Sequence, residues 1–198
     1  MKKMFEVTDS TIISEILDNA EYGTLALCVD NKPYSLPINF VEINGEIYFH
    51  GAKKGKKIDI IKQNSKTSFS VVEEYSLLPS YFSNDEGNAC PATQLFKSVI
   101  IDGTIELIEE YEEKVEALQG LMEKLQGEGG FKHLSEDMYQ KAINATQIFK
   151  LIVDEKRAKF KLGQNFNDER FQRVREHLQK RGTKKDLETL ELLQKHRN

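Results

Sequence analysis

No stretch of 18 or more apolar residues occurs in the 198-residue sequence, so no membrane-spanning helix is predicted. The two lysines of the opening MKKMFEVTDS are followed by no apolar segment, so no secretory signal is expected there. Cysteine is scarce: Cys28 lies in an apolar strand-like run and Cys90 in a loop-like one. A disulfide between them stays open, but two thiols of such unlike surroundings suit a reducing cytoplasm better, and a cytoplasmic location is expected. Neither has metal-ligand spacing to a histidine or to the other cysteine, which argues against structural zinc. The four histidines, His50, His133, His177 and His196, form no recognisable haem motif. No internal repeat and no low-complexity linker stands out.

What is present is ordinary for a globular chain: 39% hydrophobic and 30% charged residues, with a length that suits one domain with attachments. The net charge of −4 hides an asymmetry. Residues 106–137 carry ten Asp/Glu against three Lys/Arg, and residues 156–198 carry thirteen Lys/Arg against six Asp/Glu. Acids interrupt the basic tail at helical spacing. Solvated helical faces are therefore favoured over a polyanion-binding tail.

The pattern along the chain is β-rich with helices inserted, not the alternation of a doubly wound sheet. Ser10 is placed to cap a first helix carrying Ile12, Ile13 and Ile16 and stopping near Glu21. Strands are expected at Thr24–Val29, Tyr34–Ile43 and Glu46–His50, with Asn44-Gly45 as the strongest hairpin signal. Pro37, inside the second of these, cannot donate to a ladder and predicts an edge or a bulge. A short helix at 56–64, a strand at 67–72 and a long polar loop at 75–94 follow. The loop's Tyr75, Tyr81 and Phe82 are candidates for a lid or for surface packing. A strand at 96–108, broken near Gly103, leads to a helix at 109–126 with Val115, Leu118, Leu121, Met122 and Leu125 as its core stripe. A helix near 135–145, strands at 148–153 and 156–162, and two amphipathic helices complete the chain. The last two hold Phe171, Val174 and Leu178, then Leu187, Leu190 and Leu193 behind a Thr183 cap. Cys28, between Leu27 and Val29, reads as core.

The chemically informative stretch is YSLPINFVEINGEIYFHGAKKGKK, Tyr34 to Lys57. Its hairpin feeds a basic, glycine-containing turn and then a helix start. Free backbone N–H groups there, with lysines beside them, suit a phosphate. Gly51 and Gly55 let the backbone bend. Lys56 and Lys57 sit in the first helical turn, against the preference of the helix dipole, which points to a bound anion. A merely solvated lysine cluster, with Lys53, Lys54 and Lys62, is the competing reading.

The ordered set YGTLAL, YSLPINF, IYFHGAKKGKKIDII and FKSVIIDGTIELI resembles the pyridoxamine-phosphate-oxidase-like flavoproteins, closest to their nitroimidazole-reductase-like branch, over about residues 15–153. The resemblance implies a mainly β fold with added helices: a six-stranded antiparallel split β-barrel over 1–165 and a helical extension over 166–198. It implies a homodimer with FMN at the interface. Carried onto this sequence, Ser35, Leu36, Pro37, Ile38 and Asn39 run along the isoalloxazine, and Phe49, His50 and Gly51 lie near the ribityl chain. Lys56 and Lys57 clamp the phosphate, and Ser98 reaches the flavin from a later strand. Asn39 stands where a relative has a longer basic side chain. His50 is read as a binding residue, with a proton-donating role as its catalytic alternative. The Arg and His signature of true pyridoxamine phosphate oxidases is not apparent near the C-terminus, which disfavours vitamin B6 oxidation.

The function implied is reduction of a small electron acceptor such as a nitroaromatic, with NADH or NADPH as donor. An alternative is a flavin-binding regulator contacting DNA, since Lys159 to Asn165 (KFKLGQN) resembles a stretch of flavoproteins described as negative transcriptional regulators. A haem-binding relative ranks third.

Overall fold

A computed structural model of the chain describes residues 2–195, so His196 lies outside the described residues. The strands are β1 (Glu6–Val7), β2 (Tyr22–Val29), β3 (Lys32–Asn39), β4 (Val41–Ile43), β5 (Glu46–Gly51), β6 (Lys66–Leu78), β7 (Thr93–Ile108) and β8 (Gln147–Lys161). The helices are α1 (Ser10–Asn19), α2 (Lys56–Gln63), α3 (Tyr111–Leu125), α4 (Gln140–Ala145), α5 (Asp168–Arg181) and α6 (Lys184–Lys195). The strands form one sheet in the order β3-β2-β6-β7-β8-β5-β4, with β1 added on β8. The mainly antiparallel β fold with helices is as predicted, but it has eight strands where six were expected. The two-residue β1 and the short β4, which buried Phe40 separates from β3, account for the difference.

The chain groups into two compact units, residues 9–71 with 99–157, and residues 1–8 with 72–98 and 158–198. In the first, Asp9 rather than Ser10 caps α1, accepting from the N–H groups of Thr11 (2.9 Å) and Ile12 (3.3 Å). Asn44 and Gly45 have φ of 54° and 89°, the two positive values of a tight hairpin turn between β4 and β5. The core gathers Leu25, Leu27, Ile47, Phe49, Phe69, Ile101, Phe149 and Leu151. α3 turns Lys114, Ala117 and Leu121 inward, while Leu125, predicted to be core, is 44% exposed. Lys114 is tolerated there by its ion pair with Glu109 (3.3 Å), and a polar residue on the inner face is what misdirected the stripe.

Three strands run farther than their polarity suggests. β7 is continuous through Gly103, where a Cβ would stand 2.0 Å from the Ile152 carbonyl oxygen. The glycine there permits close approach of two backbones and breaks nothing. β8 joins the two predicted strands because Asp154 and Arg157 meet partners, Lys66 and Asp102 respectively. β6 continues to Leu78, so Tyr75 is a strand residue and the irregular segment shortens to 79–92 around a 3-10 turn at Ser80–Phe82.

That extension is stabilised within the second unit. Ser76, an inward residue of β6, donates to Asp186 of α6 (2.6 Å) and receives a bond from Thr189 (3.0 Å). α6 therefore buries Asp186, Thr189 and Leu193 and leaves Leu187 51% exposed, reversing the prediction for that leucine. Thr183 caps α6 as expected: its hydroxyl receives the Asp186 N–H (3.2 Å) while the Asp186 carboxylate receives the Thr183 N–H (3.2 Å). α5 buries Phe171, Val174 and Leu178, as its spacing predicts. Phe82 is buried and stacks on His177 (4.6 Å between ring centroids), so it belongs to this core and is no lid.

Candidate functional site

The predicted phosphate turn is built where β5 hands the chain to α2. Gly51 ends β5, and Gly55, at φ 116°, precedes the first helical residue without offering a side chain to cap it. The first-turn N–H groups of α2 are thus left for water or a ligand. Lys57 folds back over the Phe149 ring (4.4 Å) and the Phe49 ring (5.2 Å), which pair across β5 and β8 and stack at 4.8 Å. A Cβ on residue 51 would come within 2.5 Å of the Lys57 Nζ, so glycine at that position is what admits the lysine. Lys56 lies over the Tyr34 ring (4.3 Å), a contact that the sequence reading missed. Tyr34 and Phe149 sit far from α2 in the chain, and only the strand pairing brings them there.

Burial lowers the pKa of Lys57 below the ordinary lysine value. His50 is also pushed below its ordinary value, first by desolvation and then by the nearby charge of Lys57, so it is predominantly neutral at pH 7. Among the described residues neither Lys56 nor Lys57 forms a salt bridge, and Asp59, the acid of that turn, pairs with neither. A half-buried ammonium without a counter-charge, at the positive end of a helix, gains stabilisation when an anion joins it.

Strand β3 is at the edge of the sheet, as Pro37 predicts, with only β2 beside it among the described residues. The register sets Ser35 against Ala26, Pro37 against Thr24 and Asn39 against Tyr22. Ser35, Pro37 and Asn39 are exposed, while Leu36 and Ile38 alternate as half-buried. Asn39 donates its side-chain N–H to the Glu21 carbonyl (2.8 Å), so the amide that replaces a longer basic side chain is tied down locally. The same alternation places Leu25 and Leu27 inward and Cys28 outward. Cys28 is therefore exposed and free, not core, and Cys90 is free as well. The structure brings Phe49, His50, Gly51, Lys56 and Lys57 together. Ser98, half-buried on β7, falls in the other compact unit.

Among the described residues no group of three His, Cys, Asp or Glu is placed to hold a metal ion. No described helix is long and apolar enough to cross a membrane.

Residues 9–160 match the family model of pyridoxamine 5'-phosphate oxidase. No curated protein matches the chain in sequence. Among solved structures, the chain is similar to a candidate 5-nitroimidazole antibiotic resistance protein from Bacteroides thetaiotaomicron, at 22% identity and TM-score 0.64 over 78% of this chain and 85% of that one. It is similar to a flavocytochrome from Azotobacter vinelandii, at 20% identity and TM-score 0.65 over 81% and 72% of the respective chains. An FAD and haem binding protein from Mycobacterium smegmatis matches at 19% identity and TM-score 0.65, over 78% and 72%. These likenesses establish the split-barrel type of fold. The matched region runs from the cap of α1 almost to the end of β8 and contains the edge strand, the hairpin and the lysine turn, and the chain belongs to the pyridoxamine 5'-phosphate oxidase family.

Proposed function

We propose that the chain binds FMN and acts as an NADH- or NADPH-dependent reductase of small electrophiles such as nitroaromatics. The observation that carries this reading is Lys57, half-buried over two stacked phenylalanine rings with no acidic partner among the described residues. In this reading Lys56, Lys57 and the first N–H groups of α2 hold the cofactor's phosphate. Ser35 to Asn39 lie along the ring system. Phe49, His50 and Gly51 flank the ribityl chain. The edge position of β3 supports this assignment, because its outer backbone groups have no strand beside them among the described residues. FMN supplies the redox chemistry. The protein's task is to bind and orient it and to keep water away. His50, predominantly neutral at pH 7, is suited to hydrogen bonding more than to carrying charge.

The reading includes a cytoplasmic homodimer with flavin at the interface. Its support is the open face formed by Thr24, Ala26 and Cys28 of β2 beside Pro33, Ser35 and Pro37 of β3, whose small side chains leave room for a partner. A DNA-contacting role gains less from the basic tail. Arg173, Arg181 and Lys185 are engaged by Asp85, Asp186 and Glu74.

An absorption spectrum of the purified protein, with the mass of any released cofactor, tests the proposal. Flavin bands with the mass of FMN are expected, weakened in the Lys56→Ala, Lys57→Ala double variant, together with NADH or NADPH oxidation when a nitroaromatic is added. A colourless protein that takes up no FMN would overturn the reading; FAD or a Soret band would assign another cofactor.

A further inference from the structure

The stretch from Lys159 to Asn165 has no role in the flavin proposal, yet it forms part of the wall of a cavity of about 270 Å³ within the second compact unit. β8 ends at Lys161, and Gly163, at φ 76°, turns the chain back so that the Phe166 N–H donates to its carbonyl (2.9 Å). A Cβ at Gly163 would stand 2.7 Å from the Phe166 ring. The Gln164 side chain locks the turn, receiving the Leu162 N–H (2.8 Å) and donating to the Phe160 carbonyl (2.9 Å). The Arg170 guanidinium lies over the Phe166 ring at 4.1 Å. Cys90, Pro91, Ala92, Thr93 and Leu95 complete the lining with Lys161 and Asn165.

The charges of this cavity do not balance. Lys161 and Arg170 both line it, and among the described residues no Asp or Glu does. Neither cation forms a salt bridge among the described residues. Among the described residues Arg170 donates from Nη2 to the Pro91 carbonyl (3.0 Å), while its buried Nε has no partner. A buried donor left unpaired costs free energy that a bound acceptor would restore. The volume equals roughly nine waters at their liquid share. The Arg170 guanidinium over the Phe166 ring offers a planar fork that can hold a carboxylate through two parallel bonds. Pro91, Ala92 and Phe166, each partly exposed, supply an apolar surface for a short hydrocarbon body.

We propose that this cavity binds a small organic carboxylate, held by Arg170 and Lys161 with its hydrocarbon part against Pro91 and Phe166. Cys90, in the lining, reports on occupancy. In a Cys28→Ser background it is the only thiol, because the sequence has two cysteines. The rate of its reaction with a chromogenic disulfide is measured with increasing benzoate, succinate or inorganic phosphate, at constant ionic strength set by sodium chloride.

Saturable protection by benzoate or succinate is expected, weakened roughly tenfold to a hundredfold by Arg170→Met, as loss of a charge-assisted pair implies. Should that variant fail to fold, Lys161→Gln carries the same expectation, and thermal melting establishes which variants are folded. Absence of protection by either carboxylate, equal protection in the folded variants, or protection by phosphate alone would overturn the proposal.

Discussion

Replacing Asp186 by asparagine tests the polar network that joins β6 to the C-terminal helices. The carboxylate is fully buried and accepts from Ser76 Oγ (2.6 Å), Arg181 Nε (2.8 Å) and Nη2 (2.5 Å), Thr183 N (3.2 Å) and Thr183 Oγ1 (2.7 Å). Arg181 above all, then Ser76 and Thr183, hold its pKa far below the ordinary carboxylate range, against the opposing effect of burial. Breaking a buried pair by removing one partner costs about 3–5 kcal/mol. The Arg181 side chain is 33% exposed and can rehydrate in part, and the Ser76 and Thr189 hydroxyls keep each other as partners. A loss of about 2–3 kcal/mol at pH 7 follows for Asp186→Asn, from the worth of hydrogen bonds to a charged group. The sign of the pH dependence is fixed by the lowered pKa. The contribution is complete above the unfolded carboxyl pKa of about 3.9 and fades as pH falls toward the folded value, by about 1.4 kcal/mol per unit. Urea unfolding of both proteins at pH 7, 5, 4 and 3 is the assay. The gap should be constant between pH 7 and 5 and should narrow below 4. Equal stabilities at pH 7, or a gap of constant size at every pH, would refute the reasoning.

Gly103→Ala forces a Cβ onto the Ile152 carbonyl, which stands 2.0 Å away, and backbone cannot yield as a side chain does. Urea unfolding should show a loss at the upper end of the about 1–3 kcal/mol typical of overpacking. Lys124 donates to the Leu17 carbonyl (2.7 Å) and lies over the Phe40 ring (3.6 Å), and burial brings its pKa down to about 8 in spite of Asp18 and Glu42. The unfolded chain then holds more protons between about pH 8 and 10.5, so stability from this residue rises with pH across that window; an NMR titration of the ε-methylated lysine and the loss of the trend in Lys124→Met check it. If FMN phosphate joins Lys57, whose pKa burial lowers in the free protein, binding raises that pKa, and FMN affinity falls as pH rises through the free value. Fluorescence titrations from pH 6 to 10 should show this fall, and Lys57→Gln should bind more weakly and with a flatter profile.

Elements whose inner faces are apolar were legible in the sequence; those with a polar residue turned inward were not. α5, with Phe171, Val174 and Leu178, and the Asn44-Gly45 hairpin are found where periodicity and turn chemistry put them. β6 was cut short and α6 rotated because Ser76, Asp186 and Thr189 look like surface residues until they are seen bonded to one another. Lys114 misdirected the stripe of α3 in the same way. At the site, the lysine turn was legible because Gly51, Gly55, Lys56 and Lys57 are adjacent in sequence. Tyr34 and Phe149 were not, since strand register alone brings them to those lysines. Arg170 had no local signal either. It is one of several arginines on α5, and only the turn at Gly163 distinguishes it.

The disposition of positive charge separates scaffold from site. A folded chain gains from pairing its cations, and where it does so the cations need no ligand. Arg173, Arg181 and Lys185 are paired with Asp85, Asp186 and Glu74, so part of what looked like a basic tail is internal bracing. Lys56 and Lys57 have acids available in the sequence, Asp59 among them, yet none pairs with them among the described residues. Lys57 is moreover drawn over two rings instead of being released to water, at a desolvation cost recorded in its lowered pKa. Arg170 repeats the pattern, with a buried Nε that nothing accepts from and no acid in its cavity. Desolvated cations kept apart from carboxylates are the arrangement in which an incoming anion recovers the most free energy. By that criterion the entry of α2 and the turn after β8 are, among the described residues, candidates to receive one.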